Sequence, residues 1–167
     1  MRETNEITGI VVDTAFQVHT LIGPGLLESV YEAVLARKLE QRGLVVERQK
    51  PIAFEIEGMR FDEGFRADLL VEDRVLVELK SIEKLARVHA KQVLTYLRLM
   101  NLPVGLLINF GAASLGEGLQ RIINSRAQGV PRLEQRRRSH TESTESAELT
   151  ASRPVTPLTP LTPCEIP

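Results

Sequence analysis

The sequence has few of the residues that build disulfide frameworks, zinc clusters and aromatic platforms. Its 167 residues include one cysteine, no tryptophan, two tyrosines and five phenylalanines. The single cysteine, Cys164, excludes an internal disulfide and a cysteine zinc cluster, and it is typical of a reducing cytosol. A cytoplasmic location is therefore expected. The aromatic content of 4% is too low for an obvious base-stacking platform.

Long apolar runs and an excess of one charge are also missing. No run approaches the ~18 apolar residues of a membrane span, and the start, MRETNEITGIVV, has no uninterrupted apolar signal region. Neither export nor a membrane partner is expected. The 21 basic and 22 acidic residues give a net charge of −1, so no global basic field attracts nucleic acid or anionic lipid. Any contact with nucleic acid must be local.

A change of composition near Arg132 predicts the domain organisation. From there the chain has few large aliphatic residues, no aromatic residue and a repeating Thr-Pro-Leu pattern, which cannot bury enough apolar surface to fold. We expect one folded domain over residues 1–131 and a disordered Pro/Thr/Ser-rich tail over 132–167. The arginines at 136–138 are interpreted as a solvated charge run, although a protein partner could use this tail.

Hydrophobic spacing predicts two helices, a group of strands, a third helix and a last strand. Gly43 is expected to end the second helix. The runs VVERQ, IAFEI and EGMRF, with a turn at Glu57 and Gly58, predict paired strands, residues 84–100 predict the third helix, and VGLLIN predicts a buried strand. The fold class is therefore α/β (α+β). The apolar positions of the first two helices are Ile7, Val11, Ala15 and Val18, then Leu27, Val30 or Tyr31, Val34 and Leu39.

The run FRADLLVEDRVLVELK predicts a β-hairpin whose register follows from side-chain parity. Its aliphatic faces coincide only if the loop has an odd number of residues. A loop of residues 72–74 pairs Leu69 with Val77 and sets Asp68 directly opposite Glu78. Alternation predicts two faces for each strand. One face carries only aliphatic residues, which are Ala67, Leu69 and Val71 on the first strand and Val75, Val77 and Leu79 on the second. The opposite face carries Arg66, Asp68 and Leu70 on the first strand and Leu76, Glu78 and Lys80 on the second.

Two opposed carboxylates repel each other, so a positive charge is expected between Asp68 and Glu78. One interpretation is a structural ion-pair network with Lys80 and Arg66. The other is a divalent cation, since Mg²⁺ is commonly held by one or two carboxylates, with Lys80 acting on a bound water. The spacing alone leaves both interpretations open.

Several separated motifs resemble one family. GLLESVY at residues 25–31 fits a Gly-x-x-Glu-x-x-Tyr signature, and FRADLLVEDRVLVELKSI, HAKQVLTYL and LLINFG follow in order. The chain resembles, over residues 5–125, the GxxExxY family of the PD-(D/E)xK nuclease-like superfamily. Ala67 stands where the superfamily's name residue would be proline.

This resemblance implies a restriction-endonuclease-like core, a central mixed β-sheet flanked by helices. Asp68 and Glu78 would be the metal ligands for Mg²⁺, with Mn²⁺ as the alternative, and Lys80 would position the attacking water. The remaining site residues that it implies are Glu28, an acidic residue on the second helix that supports the metal, and Gln92 and Tyr96 on the helix beside the site.

The resulting hypothesis is a nuclease, an enzyme that hydrolyses phosphodiesters of DNA or RNA with a bound metal. The rival is a non-catalytic nuclease-fold module that binds a protein or nucleic-acid partner, and the oligomeric state is left open. On the third helix His89 shares a face with Gln92 and Tyr96, and it is interpreted as a partly exposed helix residue. The cations Lys84, Arg87, Lys91 and Arg98 predict one stripe, which either follows a phosphate backbone or is a solvated face.

Overall fold

A computed structural model describes residues 2–127 and shows a five-stranded sheet with helices on both faces. The predicted tail from Arg132 onward, with the arginines at 136–138 and Cys164, lies outside the described residues. The elements in chain order are α1 (Thr4–Ile22), α2 (Glu28–Gln41), β1 (Val46–Ile56), β2 (Met59–Val71), β3 (Val75–Lys80), α3 (Arg87–Leu99), β4 (Val104–Asn109), α4 (Leu115–Gly118) and β5 (Leu119–Ile123).

The strands lie in the sheet in chain order, from β1 to β5. β3 and β4 run parallel, while the other neighbouring pairs are antiparallel. A parallel pair needs a crossover connection, and α3 supplies it. The predicted α/β class with a central mixed sheet flanked by helices is confirmed.

The sheet separates two apolar clusters. α1 and α2 pack on one face against aliphatic residues of β3 and β4, including Val77, Leu79 and Leu106. α3 packs on the other face, where its Val93 and Leu97 contact the second cluster. The parity predicted for β3 is confirmed, because Leu79 belongs to the first cluster and Leu76 to the second.

Gly105 allows α3 to approach the middle of β4 closely. A Cβ at this position would lie 3.0 Å from a methyl carbon of Val93 and 3.3 Å from Leu97 and from the carbonyl of Leu76. A side chain there would push the helix outward. The six residues of β4 are all buried, which confirms the strand predicted from VGLLIN.

The boundaries of several elements differ from the sequence prediction. Apart from Val45, the runs VVERQ and IAFEI belong to one strand, β1, and the turn at Glu57 and Gly58 joins it to β2. In α2 it is Tyr31 that is buried, while Val30 is 38% exposed. α4 and β5 had no separate prediction, because both are short. No helix in the described part of the chain is long and apolar enough to cross a membrane.

Candidate functional site

The β2–β3 hairpin has the predicted loop and register. β2 ends at Val71 and β3 begins at Val75, so the loop consists of residues 72–74. Leu69 pairs with Val77, as predicted. The ladder ends at this pair, and Asp68 and Glu78 occupy the next position on the two strands.

The Asp68 carboxylate takes the place of a backbone hydrogen-bond acceptor where the two strands separate. In a continued ladder the amide of Leu79 would face Ala67, but it donates a 2.8 Å hydrogen bond to Oδ2 of Asp68 instead. The face of β2 also changes here, because Leu69 packs in the first cluster and Ala67 in the second. The prediction that Ala67 and Leu69 share a face was therefore wrong. β2 bends away from β3 at Asp68, so the two strands of the hairpin separate there. We call this place, with the side chains of Asp68, Glu78 and Lys80, the fork.

Glu78 is the most buried carboxylate at the fork, with only 4% of its surface exposed. Its Oε1 lies 2.8 Å from Nζ of Lys80, whereas Oε2 is buried and has no hydrogen-bond partner among the described residues. Burial raises the pKa of Glu78, and the negative charge of Asp68 raises it further. Burial also raises the pKa of Asp68. The fork therefore disfavours two negative charges unless a cation is present.

Lys80 is the cation that the fork holds in this structure. Burial acts to lower its pKa, but the hydrogen bond and charge of Glu78, with the charges of Glu28 and Asp68, raise the pKa overall. Its Nζ also donates to the carbonyl of Leu79 at 2.8 Å. Lys80 is thus held in its protonated form.

Arg66 does not join this group, and the predicted four-residue network was wrong in that respect. Nη2 of Arg66 lies 2.8 Å from Oε2 of Glu63, three positions earlier on the same strand. Both side chains are more than half exposed. The bend at Asp68 carries Arg66 into the two-stranded arm formed with β1, away from Lys80.

Glu28 reaches the site from the start of α2. Its Oε1 lies 3.9 Å from Nζ of Lys80. Burial raises the pKa of Glu28 although Lys80 opposes this effect. The Ser81 hydroxyl donates to the carbonyl of Leu26 at 2.7 Å, so the end of β3 and the start of α2 are tied together.

The stretch from Gly25 to Tyr31 fixes the position of Glu28. Gly25 has φ +114°, which residues with a Cβ rarely adopt. The Tyr31 hydroxyl donates to the carbonyl of Gly23 at 2.7 Å and accepts from the amide of Leu26 at 3.1 Å. Its ring stacks on Phe110 at 4.6 Å. The glycine makes the turn and the tyrosine holds it, with the glutamate between them.

Sequence reasoning missed a second acidic residue of α2, Glu32, which is 5% exposed. Its Oε1 accepts from Arg48 at 2.9 Å and its Oε2 from Gln49 at 2.7 Å. Gln49 also donates to Oδ1 of Asp68 at 3.2 Å. The available signal was the spacing, because residues four apart share a helix face and Glu32 follows Glu28 by four.

Asn109 was also missed, and its role is structural. It is 1% exposed at the end of β4. Its amide accepts from the backbone N–H groups of Ile82 and Gly111 and donates to the carbonyl of Ile82 at 2.8 Å. These bonds hold the segment that directly follows Lys80 and Ser81.

Gln92 and Tyr96 lie together on α3, the helix that covers the Leu76 face of β3. Nε2 of Gln92 donates to the Tyr96 hydroxyl at 2.7 Å, and the Tyr96 ring stacks on Phe65 at 3.7 Å. In the described chain their hydrogen bonds run to each other and not to the carboxylates of the fork. His89, by contrast, accepts from the amide of Ala86 and caps the start of the helix.

The predicted cation stripe is shorter than expected. Lys84 precedes α3, so it is not part of the helical face. Arg87, Lys91 and Arg98 are exposed on the helix, and within residues 2–127 none of them has an ion pair at 4.0 Å or less.

The side chains at the fork fit a hard divalent cation in their chemistry. Carboxylate oxygens are the ligands that Mg²⁺ prefers, and Oε2 of Glu78 is a buried oxygen that has no hydrogen-bond partner within residues 2–127. Across residues 2–127 no three acidic, histidine or cysteine side chains already converge as a complete ligand set. Waters and substrate oxygens commonly fill the remaining positions around Mg²⁺, so two protein carboxylates suffice.

Comparison with known proteins agrees with this geometry. The family model of the PD-(D/E)XK nuclease superfamily matches residues 5–122, a range that includes the whole fork and nearly every element of the sheet. No curated protein and no solved structure matches the chain. The match supports the predicted restriction-endonuclease-like arrangement and suggests nuclease activity on nucleic acid, which in these enzymes generally depends on a divalent metal. The chain belongs to the PD-(D/E)XK nuclease superfamily.

Proposed function

We propose that this protein is a metal-dependent nuclease of the GxxExxY branch, which hydrolyses phosphodiesters of DNA or RNA. The observation that carries the proposal is Oε2 of Glu78, a buried carboxylate oxygen without a partner in the described chain. A purely structural carboxylate at this depth is normally hydrogen-bonded through both oxygens, because an unmet buried acceptor costs about 1–3 kcal/mol. The lone cysteine supports a cytoplasmic location.

Asp68 and Glu78 would hold the metal, Mg²⁺ or Mn²⁺. Such an ion supplies Lewis-acid polarisation of a phosphoryl oxygen and lowers the pKa of a water that it binds. The two carboxylates gain from its charge, because burial raises the pKa of each and the charge of Asp68 raises that of Glu78 further. Their geometry is defined before any ion arrives, since Leu79 and Gln49 hold Asp68 while Lys80 holds one oxygen of Glu78.

Lys80 serves as a fixed positive charge in this proposal. Its pKa is raised in the metal-free protein by the surrounding carboxylates, and we assign it the role of a cation and not of a base. Its ammonium orients the attacking water by hydrogen bonding and stabilises the negative charge that develops on the phosphate. Glu28, 3.9 Å from Lys80, orients that ammonium and adds negative charge near the metal position.

Gln92 and Tyr96 complete the proposed site from α3. Their mutual hydrogen bond and the Tyr96–Phe65 stack hold them rigidly. We assign them to the substrate side of the fork, where the amide and the phenol would contact the nucleic-acid backbone. Gln92→Ala should lower cleavage while leaving Mn²⁺ binding in the absence of substrate unchanged.

The alternative is a non-catalytic module that binds a protein or nucleic-acid partner. The observation that favours it is the 2.8 Å ion pair between Lys80 and Glu78, which already satisfies one oxygen of the carboxylate. In this alternative the charges at the fork are structural, and the unmet Oε2 of Glu78 is a local cost.

Crystals grown with Mn²⁺ and cleavage assays with Mg²⁺ test the proposal. We expect anomalous density between Asp68 and Glu78, and cleavage of single- or double-stranded DNA or RNA that EDTA abolishes. Asp68→Asn is the inactive control. Lys80 lying between the carboxylates in excess Mn²⁺, with no cleavage of any substrate, would favour the module.

A further inference from the structure

Gln49 has an unusual backbone conformation near the start of β1. Its φ is +48°, a left-handed value that residues with a Cβ adopt at a cost, and such residues persist where the surrounding contacts hold them. The neighbouring cross-strand pairs are Arg48 with Leu69 and Lys50 with Ala67. Gln49 therefore stands opposite Asp68, where β2 bends away from β3.

The side-chain amide of Gln49 bridges two carboxylates. Its Nε2 donates to Oε2 of Glu32 at 2.7 Å and to Oδ1 of Asp68 at 3.2 Å. Only the nitrogen of the amide can fill this place, because the amide oxygen would face two acceptors. The two hydrogen bonds therefore define the orientation of the Gln49 amide, and both require its NH₂ group as the donor.

Glu32 acts as the anchor of this bridge. It is 5% exposed, and its other oxygen accepts from Nε of Arg48 at 2.9 Å. Because both of its oxygens accept hydrogen bonds, the Glu32 carboxylate is held in place and does not turn toward the fork. The exposed Gln49 amide is thus attached at one end to a buried, fully bonded carboxylate.

Asp68, at the other end, has both oxygens fixed. Gln49 holds Oδ1, and the amide of Leu79 holds Oδ2 at 2.8 Å. We propose that Gln49 is a positioning residue, which orients the Asp68 carboxylate for metal binding through the anchor of Glu32. This inference rests on the proposed function for the role of Asp68 as a ligand.

Two substitutions separate the amide from the backbone conformation. Gln49→Gly removes the amide and also the cost of the left-handed conformation, so the variant should fold. Gln49→Glu keeps the length but replaces the donor with an acceptor between two carboxylates. The matched control is Gln17→Glu on α1, because Gln17 donates to Oδ2 of Asp13 at 3.1 Å on the exposed surface, away from the fork.

The first measurement is made without metal. In EDTA the amide hydrogen of Leu79 should exchange about fivefold faster in both Gln49 variants, because Asp68 loses one of its two restraints. The second measurement is the Mn²⁺ dissociation constant by calorimetry, without substrate. It should rise about 10- to 100-fold, the usual effect of losing a group that orients a ligand. Gln17→Glu should leave both quantities unchanged.

The outcomes separate this inference from the proposed function. Unchanged Leu79 exchange and unchanged Mn²⁺ affinity in Gln49→Gly would overturn the positioning role while leaving the nuclease proposal intact. If the parent binds no Mn²⁺ and cleaves nothing, the nuclease proposal fails, and with it the positioning of a ligand, even if the exchange of Leu79 is faster. Faster exchange together with weaker Mn²⁺ binding supports both.

Discussion

Lys80 forms an ion pair with one oxygen of the Glu78 carboxylate and leaves the other oxygen without a hydrogen bond in the described chain. Its ammonium lies 2.8 Å from Oε1, whereas Oε2 is buried without a hydrogen-bond partner in residues 2–127. The two residues are two positions apart on one face of β3. An internal cation and an external one can therefore share the same carboxylate.

Glu78→Gln should separate stability from catalysis. The amide keeps an oxygen for Lys80 but removes the charge that repels Asp68, so in EDTA the variant should be at least as stable as the parent. Cleavage with Mg²⁺ should fall more than about 100-fold, since even groups that only support ligands are worth about 10- to 100-fold. Chemical denaturation and cleavage assays measure the two effects.

The control for this variant is Glu63→Gln, which breaks an exposed ion pair with Arg66. It should change stability by less than about 1 kcal/mol. Destabilisation of Glu78→Gln by several kcal/mol, with no cleavage by the parent, would show that the charges at the fork are structural.

The stability of the metal-free parent should fall as pH rises. Folding raises the pKa of Glu78 above its ordinary 4.5, first by burial and then through Asp68. The folded state holds that proton more tightly, so the contribution is complete below about pH 4.5 and is lost as pH rises through the raised value. The pKa values of Asp68 and Glu28 are also raised and act in the same direction.

Urea denaturation in EDTA between about pH 4.5 and 8 tests this linkage. The stability advantage of Glu78→Gln over the parent should grow with pH. An advantage that is constant or shrinks across this range would contradict the raised pKa. The free energy of unfolding of Glu63→Gln, a substitution on the exposed arm, should differ from that of the parent by the same amount at every pH in this range.

Lys80→Met should lower stability in EDTA by about 1–3 kcal/mol at neutral pH, because two buried carboxylates lose their cation. Saturating Mg²⁺ should restore part of this loss by supplying positive charge. Cleavage should still fall about 10²- to 10³-fold, since the donor that we propose at the reacting phosphate is gone. Lys91→Met, on the exposed face of α3, should change stability by less than about 0.5 kcal/mol. Equal losses with and without Mg²⁺ would contradict metal binding at the fork.

Tyr31→Phe should weaken the turn that carries Glu28. The ring keeps its stack on Phe110, but the bonds to Gly23 and Leu26 are lost, at a cost of about 1–3 kcal/mol. Denaturation and cleavage should both reveal the change, and Mg²⁺ should not restore stability. Tyr96→Phe, which also loses one hydroxyl, should cost less because its partner Gln92 is only partly buried. Unchanged cleavage in Tyr31→Phe would separate this turn from the site.

Truncation before Arg132 should leave the melting temperature nearly unchanged. The composition of residues 132–167 offers no apolar core, and the superfamily match ends at residue 122. Calorimetry on residues 1–131 and on the full chain makes the comparison. A drop of many degrees would mean that the tail contributes to the folded domain.

The register of the fork could be predicted because it is decided locally. Side-chain parity and an odd loop leave one pairing that buries both aliphatic faces, and Leu69 pairs with Val77 accordingly. The change of face between Ala67 and Leu69 could not be predicted in this way. It arises where a side chain, Asp68, takes the hydrogen bond that the backbone would otherwise accept.

The choice of side-chain partners explains the other differences. Glu32 could be placed on the same helix face as Glu28, but its burial depends on Arg48 and Gln49, which come from β1. Arg66 pairs with Glu63, three residues away, and does not join the interpreted network with the two carboxylates and Lys80. Hydrophobic periodicity places a polar residue on a face, but it does not choose among the partners available there.

Asp68 also covers a strand edge that would otherwise be unpaired. β2 pairs with β3 only from Leu69 to Val71, so within residues 2–127 the edge of β3 beyond Val77 has no neighbouring strand on that side. An unpaired strand edge is a template for β-aggregation. The carboxylate covers the exposed amide of Leu79 at 2.8 Å and places a negative charge beside it. A substitution such as Asp68→Ala would thus remove the proposed metal ligand and also uncover this edge, so loss of cleavage and loss of solubility would follow from the same substitution.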